Sequence, residues 1–264
     1  MNRDYLEKVC REMMVAEREG AELMLSARNV LSENKTDHRD VVTEYDRRIQ
    51  ELLVSRIQEK IPDAKFFCEE NDKQEDLMAE HLFIIDPIDG TMNFVRHFNH
   101  SCISMAYASR GEVLAAAVYN PYVDEMFTAV KGGGCFLNGN AVCIEDVPLS
   151  ETIVCYGTSP YSMELADKTF EILKKVYYGS LDVRRQGSAE LDLCSVAAGR
   201  AGLYFEMAVS TWDYAAGALL VEEAGGICRK PDGTALVLDG KRTGIVAGGK
   251  QAIEDFLRIA RDEA

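Results

Sequence analysis

Apolar residues recur at two different spacings along the chain, and the first spacing is helical. Between residues 4 and 28 they return every three or four positions, which predicts one long helix. The same spacing predicts a second helix that opens at Asp40 and ends before Pro62, because proline cannot continue a helix. Residues 32–39, between the two, are polar without periodicity and are predicted to form a mobile loop.

Short apolar runs typical of strands follow the second helix. Residues 64–68 and 82–85 are predicted to be strands, the second of them buried. Residues 102–143 are predicted to form an antiparallel meander, because turn residues separate their apolar runs. The lysine and three glycines at 131–134 are followed by no helix, so we interpret them as a hairpin turn and not as a phosphate-binding loop.

After residue 150 the pattern changes to alternating strands and helices. The strands are predicted at 152–155, 181–185, 203–205, 227–228 and 244–247, and the helices at 163–177, 188–198, 213–224 and 251–260. The chain is therefore predicted to be α/β with an α+β first half. We expect two subdomains, 1–149 and 150–264, that share an interface, because no linker separates them.

Composition narrows the functional class. The 264 residues, 47% of them hydrophobic, are enough for one large domain or two fused subdomains. We expect a soluble cytoplasmic protein, because no N-terminal signal pattern is visible and no apolar run approaches the about 20 residues of a membrane span. The formal net charge of −15 argues against a nucleic-acid partner. Eight scattered cysteines without a C-x-x-C pair fit a reducing compartment.

The candidate chemistry centres on Asp86-Pro87-Ile88-Asp89-Gly90-Thr91, directly after the buried strand. A turn needs only one such acid, so the pair favours a metal site over a simple capping turn. Glu69 follows another strand and Asp213 follows the only tryptophan, so both could join the pair. Four converging carboxylates would repel one another, and two divalent cations would offset that repulsion. Such a site suits hydrolysis of a phosphate ester.

These segments together resemble the inositol monophosphatase family. The resemblance is carried by residues 86–94, by Glu69-Glu70 and by residues 212–217. It continues, in the family's order, through residues 40–46, 119–121, 187–189, 193–194 and 222–226, and so covers nearly the whole chain. It implies the layered αβαβα sandwich of the inositol monophosphatase / fructose-1,6-bisphosphatase fold, magnesium-dependent hydrolysis of phosphomonoesters, lithium sensitivity and a homodimer.

The resemblance also implies a set of metal ligands. Glu69, Asp86 and the carbonyl oxygen of Ile88 would hold a first Mg²⁺ ion, and Asp86, Asp89 and Asp213 a second, with two or three ions in each subunit.

The catalytic and substrate-binding roles are carried over in the same way. Glu69 and Thr91 would orient the attacking water, and Asp46 would pair with Thr91, although the Thr43-x-x-Asp46 spacing alone favours a capping box. Lys35 falls where the family has a loop lysine that faces the site. The residues expected to contact substrate are Asp89, Gly90, Thr91, Ala189, Glu206 and Asp213.

Several residues depart from the family pattern or stand outside it. Cys68 stands before the paired glutamates, and we favour an apolar filler there over a redox-sensitive thiol. Met92 replaces a common threonine. Glu190, beside Ala189, either changes the alcohol accepted or is an acid at a helix N-terminus. The pairs Arg96-His97 and Arg184-Arg185 could assist an anionic substrate, but we favour surface or interface pairing for each.

The expected function is Mg²⁺-dependent hydrolysis of a small polyol phosphate monoester, with myo-inositol monophosphate as the first candidate. The alternatives are a fructose-1,6-bisphosphatase or a 3′(2′),5′-bisphosphate nucleotidase on the same frame. Outside the enzyme class, the alternative is a metal- or phosphate-binding regulator without turnover. The expected partners are a small phosphate monoester and a second copy of the chain, with no nucleic acid and no membrane.

Overall fold

The first half of the chain begins with two helices and a small hairpin. The computed structural model describes residues 2–28, 30–35, 41–71 and 74–261. Helix α1 spans Arg3–Ser26, the hairpin strands are β1 (Ser32–Asn34) and β2 (Val41–Thr43), and helix α2 spans Glu44–Lys60. The prediction of a loop was therefore wrong at 32–34, and the second helix starts later than predicted because 41–43 pair with β1. Residues 36–40, which include positions 36–39 of the predicted loop, lie outside the described residues.

A seven-stranded sheet forms the centre of the first half. Its strands are β3 (Lys65–Cys68), β4 (Leu82–Asp89), β5 (Cys102–Ser109), β6 (Glu112–Asn120), β7 (Glu125–Val130), β8 (Cys135–Leu137) and β9 (Asn140–Val142). They follow one another in chain order, and all neighbours are antiparallel except β3 and β4. The predicted meander is confirmed. The glycine turn before β8 is also confirmed, and the N–H groups of Gly132 and Gly134 both donate to the carboxylate of Glu223.

A five-stranded sheet forms the centre of the second half. Its strands are β10 (Ile153–Tyr156), β11 (Asp182–Arg184), β12 (Leu203–Val209), β13 (Ile227–Arg229) and β14 (Thr243–Gly248). The remaining helices are α3 (Thr91–Val95), α4 (Ala166–Gly179), α5 (Ala189–Ala197), α6 (Ala215–Glu223) and α7 (Lys250–Arg261). The strand order is β11-β10-β12-β14-β13, with β10 parallel to both of its neighbours and β14 antiparallel to its own.

The helices and sheets stack in five layers. Apolar residues of α1 and α2 pack on one face of the seven-stranded sheet, and α5 and α6 fill the space between the two sheets. Helices α4 and α7 cover the outer face of the smaller sheet. The αβαβα sandwich is confirmed. Gly20 is explained by this packing, because a Cβ there would lie 3.0 Å from the Cδ1 atom of Ile103 on the sheet.

The acidic motif is part of a strand and not a turn after it. The prediction ended the buried strand at residue 85, but β4 continues through Asp89, and all eight of its residues are buried. Opposite β5, Asp86 pairs with Ser104 and Asp89 with Cys102, so the register shifts between them, where Pro87 has no N–H to donate. In a regular strand, residues three apart point to opposite faces. The bulge allows both carboxylates to reach the same site.

The two halves are joined more closely than their separate sheets suggest. Strands β3–β9 lie before residue 149 and strands β10–β14 after it, but α5 and α6 from the second half cover the sheet of the first. The division into subdomains 1–149 and 150–264 stays a prediction. Among the described residues, no helix combines the length and the apolar character that a membrane span needs.

Candidate active site

Three carboxylates converge at the bulge of β4. Asp86 and Asp89 come from the strand and Asp213 from the 3₁₀ turn before α6, and each offers one oxygen within 4.8 Å of the others. The carboxylate of Glu69, at the end of β3, contacts that of Asp86. Burial, with repulsion from Glu69, raises the pKa of Asp86 and of Asp213 well above the ordinary range. An all-oxygen donor set whose members repel one another fits a hard divalent cation such as Mg²⁺.

Asp89 is held by donors from the start of α5. The hydroxyl of Ser188 lies 2.5 Å from Asp89 Oδ2, and the backbone N–H of Glu190 donates to the same oxygen at 2.8 Å. Burial raises the pKa of Asp89 to about 6, while these hydrogen bonds act in the opposite direction. Ser188 also caps α5 by accepting from the N–H of Leu191 at 3.3 Å. The sequence analysis gave Ser188 no role, although a serine before an apolar helix is a capping signal.

A lysine from the small hairpin neutralises part of this charge. Lys35 Nζ lies 2.9 Å from Glu69 Oε1 and also pairs with the carboxylate of Glu70. Burial, followed by repulsion from Glu69, raises the pKa of Glu70 to about 7. The prediction that Lys35 faces the site is confirmed by its place in the lining of the cavity.

Thr91, Asp46 and Ile88 form a connected group at the start of α3. Thr91 Oγ1 lies 3.2 Å from Asp46 Oδ1 and 3.0 Å from the carbonyl oxygen of Ile88. The other oxygen of Asp46 accepts from the N–H of Thr43 at 2.8 Å, so Asp46 completes a capping box and contacts Thr91 at once. Burial raises the pKa of Asp46 to about 6.

The backbone at Gly90 strongly favours glycine. Its φ of +86° lies in the left-handed region, and a Cβ there would lie 3.1 Å from the carbonyl oxygen of Gly187. The first N–H groups of α3 follow Gly90, and such groups have no acceptor within their own helix. They are therefore available to an anion in the cavity.

The site opens into a cavity of about 940 Å³. Glu206 lines this cavity, and it accepts from the N–H of Ser159 at Oε1 (2.6 Å) and from the hydroxyl of Tyr204 at Oε2 (2.7 Å). Burial raises the pKa of Glu206. A Cβ on Gly157 would lie 1.8 Å from Glu206 Oε2, so only glycine at 157 leaves room for this carboxylate. Ala189 and Glu206 both line the cavity, as the sequence analysis requires.

Two other sequence expectations have clear outcomes. Glu190 is fully buried, accepts from the N–H of Gly217 at 2.7 Å and is absent from the lining, so its suggested effect on the alcohol accepted is wrong. Burial, followed by the charge of Asp89, raises the pKa of Glu190 to about 8. Cys68 is buried as the apolar filler that we favoured, and burial raises the pKa of its thiol to about 12.

The cavity also contains residues to which the sequence analysis gave another role or none. Asp192 is buried in the wall and accepts from Gln186 Nε2 at 2.8 Å. Arg96 and Arg185, which we expected in surface or interface pairs, line the cavity together with Arg242. The apolar helix pattern around Asp192 gave no signal of this position. For Arg96 and Arg185, contact with an anionic substrate was the alternative that we did not favour.

Comparison with known proteins agrees with the geometry. The sequence model of the inositol monophosphatase family matches residues 6–263. The chain belongs to the inositol monophosphatase family.

Relatives cover most of the chain. The Nus factor SuhB of Escherichia coli K12 is 36% identical over 226 residues, which are 85% of this chain and 84% of that protein. An inositol-1-monophosphatase of Mesorhizobium japonicum is 34% identical over 219 residues, which are 83% of this chain and 81% of that protein. The crystal structure of the extragenic suppressor protein SuhB from Bartonella henselae superimposes with a TM-score of 0.90 at 28% identity and covers 97% of this chain and all of that one.

Proposed function

We propose that this chain hydrolyses a small polyol phosphate monoester with Mg²⁺, and that myo-inositol monophosphate is the first substrate to test. Membership of the family supports a phosphatase and a divalent metal cofactor. The observation that carries the proposal is the convergence of Asp86, Asp89 and Asp213 on one face of a bulged strand, beside Glu69. Burial and mutual repulsion raise the pKa of Asp86 and of Asp213, and a bound cation would offset that repulsion, which supports the proposal.

The proposed ligand sets divide these residues between two Mg²⁺ ions. Glu69, Asp86 and the carbonyl of Ile88 would hold one ion, and Asp86, Asp89 and Asp213 would hold the other. When bound, the ions neutralise the phosphoryl oxygens and lower the pKa of a coordinated water.

The residues around Thr91 place the reacting groups. The Thr91 hydroxyl, fixed between Asp46 and the Ile88 carbonyl, orients the attacking water together with Glu69. The N–H groups of Gly90 and Thr91 donate to the phosphoryl oxygens, because they precede the hydrogen-bonded part of α3. Capping by Thr43 keeps the Asp46 carboxylate in one orientation.

The part of the cavity around Glu206 binds the alcohol. Glu206 accepts hydrogen bonds from Ser159 and from the hydroxyl of Tyr204, and a carboxylate has about four lone pairs, so Glu206 can still accept from a substrate hydroxyl. Ala189 leaves space beside it, and Asp89 and Asp213 border the phosphate. A polyol satisfies this arrangement better than an apolar alcohol does.

The alternatives remain open to test. A fructose-1,6-bisphosphatase or a 3′(2′),5′-bisphosphate nucleotidase would use the same carboxylates. A regulator without turnover is supported by the Nus-factor names of the SuhB relatives. The presence of every proposed ligand supports turnover instead. We also propose a cytoplasmic homodimer inhibited by lithium, from the family resemblance.

A panel of monoesters tests the proposal. Phosphate release from myo-inositol 1-phosphate, fructose 1,6-bisphosphate and adenosine 3′,5′-bisphosphate is measured with Mg²⁺, with EDTA, and with Mg²⁺ plus Li⁺. We expect release only with Mg²⁺, fastest from the inositol ester, and at least about 10³-fold slower in Asp89→Asn. Asp167→Asn, the same change at an exposed position of α4, should behave as wild type. Release that is unaffected by EDTA, or no release from any of the esters, would refute the proposal.

A further inference from the structure

Ser159 has an unfavourable backbone conformation at the edge of the cavity. Its φ of +44° lies in the left-handed region, which residues other than glycine rarely adopt. Pro160 follows it, and a residue before proline favours extended backbone. Ser159 is nevertheless buried, between the cavity-lining residues Gly157 and Pro160. The local sequence opposes this conformation, so contacts with the rest of the fold hold it in place.

The first of these contacts is with an irregular part of strand β12. Between Glu206 and Val209, β12 advances three residues while its partner β14 advances only two, so β12 bulges. A bulge leaves backbone groups without their usual partners in the neighbouring strand. Here the N–H of Ala208 donates instead to the hydroxyl of Ser159 at 2.8 Å. Ser159 therefore fixes the bulge that directly follows Glu206.

The second contact is with the carboxylate of Glu206 itself. The N–H of Ser159 donates to Glu206 Oε1 at 2.6 Å, and the Ser159 side chain also hydrogen-bonds to this carboxylate. The hydroxyl of Tyr204 donates to the other oxygen, Oε2, at 2.7 Å. Because a buried carboxylate needs hydrogen-bond donors, these groups decide which way it points. One strained residue thus holds both the carboxylate and the strand segment that follows it.

We propose that Ser159 is a positioning residue, which holds Glu206 so that its carboxylate accepts from hydroxyl groups of the alcohol and gives the site its preference for polyols. This inference rests on the proposed function and deepens its account of the alcohol. Ser159 is not among the described residues that line the cavity, so it acts through Glu206 and not on the substrate. Bulges beside active sites commonly redirect a side chain, and backbone strain is often retained at such sites.

Two esters that differ only in the hydroxyl groups of the alcohol test this role. We measure kcat and KM for myo-inositol 1-phosphate and for cyclohexyl phosphate, which has the same carbon ring without hydroxyl groups, at saturating Mg²⁺. Wild type should prefer the inositol ester by about tenfold or more in kcat/KM, because a hydrogen bond to a charged group is worth at least about that factor. In Ser159→Ala that ratio should fall about fivefold or more, mainly through the KM of the inositol ester, since a lost hydrogen bond costs about that factor.

Glycine at the same position separates the hydroxyl from the backbone. Ser159→Gly lacks the hydroxyl but adopts the left-handed conformation without strain, whereas Ser159→Ala keeps the strain. The Tm of the glycine variant should therefore exceed the Tm of the alanine variant, while the ratio of kcat/KM values falls in both. Ser162→Ala is the matched control, at a buried serine of the same segment, and should keep the wild-type ratio.

A double-mutant cycle shows whether Ser159 acts through Glu206. Glu206→Gln should itself lower the ratio, and adding Ser159→Ala to it should lower the ratio no further. An unchanged ratio in both Ser159 variants, or a full further loss in the double variant, would overturn the positioning role and leave the proposed function standing. Equal kcat/KM for the two esters in wild type would also overturn that role. Failure to release phosphate from either ester would instead overturn the proposed function.

Discussion

Replacing Ser188 by alanine should weaken metal binding without touching a proposed ligand. The Ser188 hydroxyl lies 2.5 Å from Asp89 Oδ2. Its removal leaves that oxygen with the N–H of Glu190 at 2.8 Å and the weaker thiol donor of Cys102 at 3.8 Å. A hydrogen bond to a charged group contributes about 1.5–3 kcal/mol. Loss of a group that orients a metal ligand typically lowers affinity about 10–100-fold. We expect the Mg²⁺ affinity of Ser188→Ala to fall within that range.

The loss of Mg²⁺ affinity in Ser188→Ala should be larger at lower pH. Burial already raises the pKa of Asp89 to about 6, and Ser188 acts against that rise by stabilising the charged form. Without Ser188 the pKa of Asp89 rises further, so a metal ion must displace a proton over a wider range of pH. The affinity ratio of wild type to variant should therefore be larger at pH 6 than at pH 8, where Asp89 is ionised in both proteins.

Titration calorimetry with Mg²⁺ at the two pH values measures this effect. Ser195→Ala is the matched control on the same helix, because the Ser195 hydroxyl donates only to the carbonyl of Leu191 at 2.9 Å. Loss of the cap should cost about 1 kcal/mol, or about 2–4 °C in Tm, so both variants remain folded at 25 °C. Unchanged Mg²⁺ affinity of Ser188→Ala at both pH values would refute the role that we assign to this hydroxyl.

Two further substitutions test other parts of the structure. Glu17 is fully buried, and neither of its carboxylate oxygens has a hydrogen-bond partner among the described residues. Burial therefore raises the pKa of Glu17. Wild type should lose stability as the pH rises from about 4.5 towards that raised pKa, because the folded protein must then hold a buried charge. In thermal unfolding, the Tm of Glu17→Gln should therefore rise relative to the Tm of wild type as the pH goes from 5 to 9. Glu22→Gln, a change at an exposed position of the same helix, should show no such rise. A constant difference in Tm between Glu17→Gln and wild type over this pH range would contradict the reasoning. Gly157→Ala should displace the carboxylate of Glu206, because the added methyl group would lie 1.8 Å from Oε2. This displacement should raise the KM for the monoester about tenfold or more. An unchanged KM would show that Glu206 does not bind the alcohol.

The order of the elements and the acidic cluster could be predicted because their signals are local, whereas the layered arrangement was implied only by the family resemblance. The change from a meander to alternating elements near residue 150 separated the two halves, and Asp86 and Asp89 stand together in the sequence. The bulge that turns both carboxylates to one side could not be predicted. It depends on the register between β4 and β5, which is a contact between distant parts of the chain.

The direction of individual side chains is a second limit of sequence analysis. Arg185 and Arg184 are identical neighbours, and only the fold decides that one lines the cavity while the other pairs with Asp182. Glu190 and Ala189 show the same limit, since the helix turns the alanine towards the cavity and buries the glutamate in the core. The direction of a side chain at the start of a helix depends on how that helix packs, and no local sequence pattern predicts it.

The central claim is that Asp86, Asp89 and Asp213, with Glu69, bind divalent metal. Anomalous diffraction from crystals soaked in Mn²⁺, which prefers the same oxygen ligands as Mg²⁺, tests it most directly. We predict two anomalous peaks that share the carboxylate of Asp86, one beside Glu69 and the other beside Asp89 and Asp213, and the loss of the second peak in Asp89→Asn. Mn²⁺ bound elsewhere on the protein, with no peak at these carboxylates, would contradict the account.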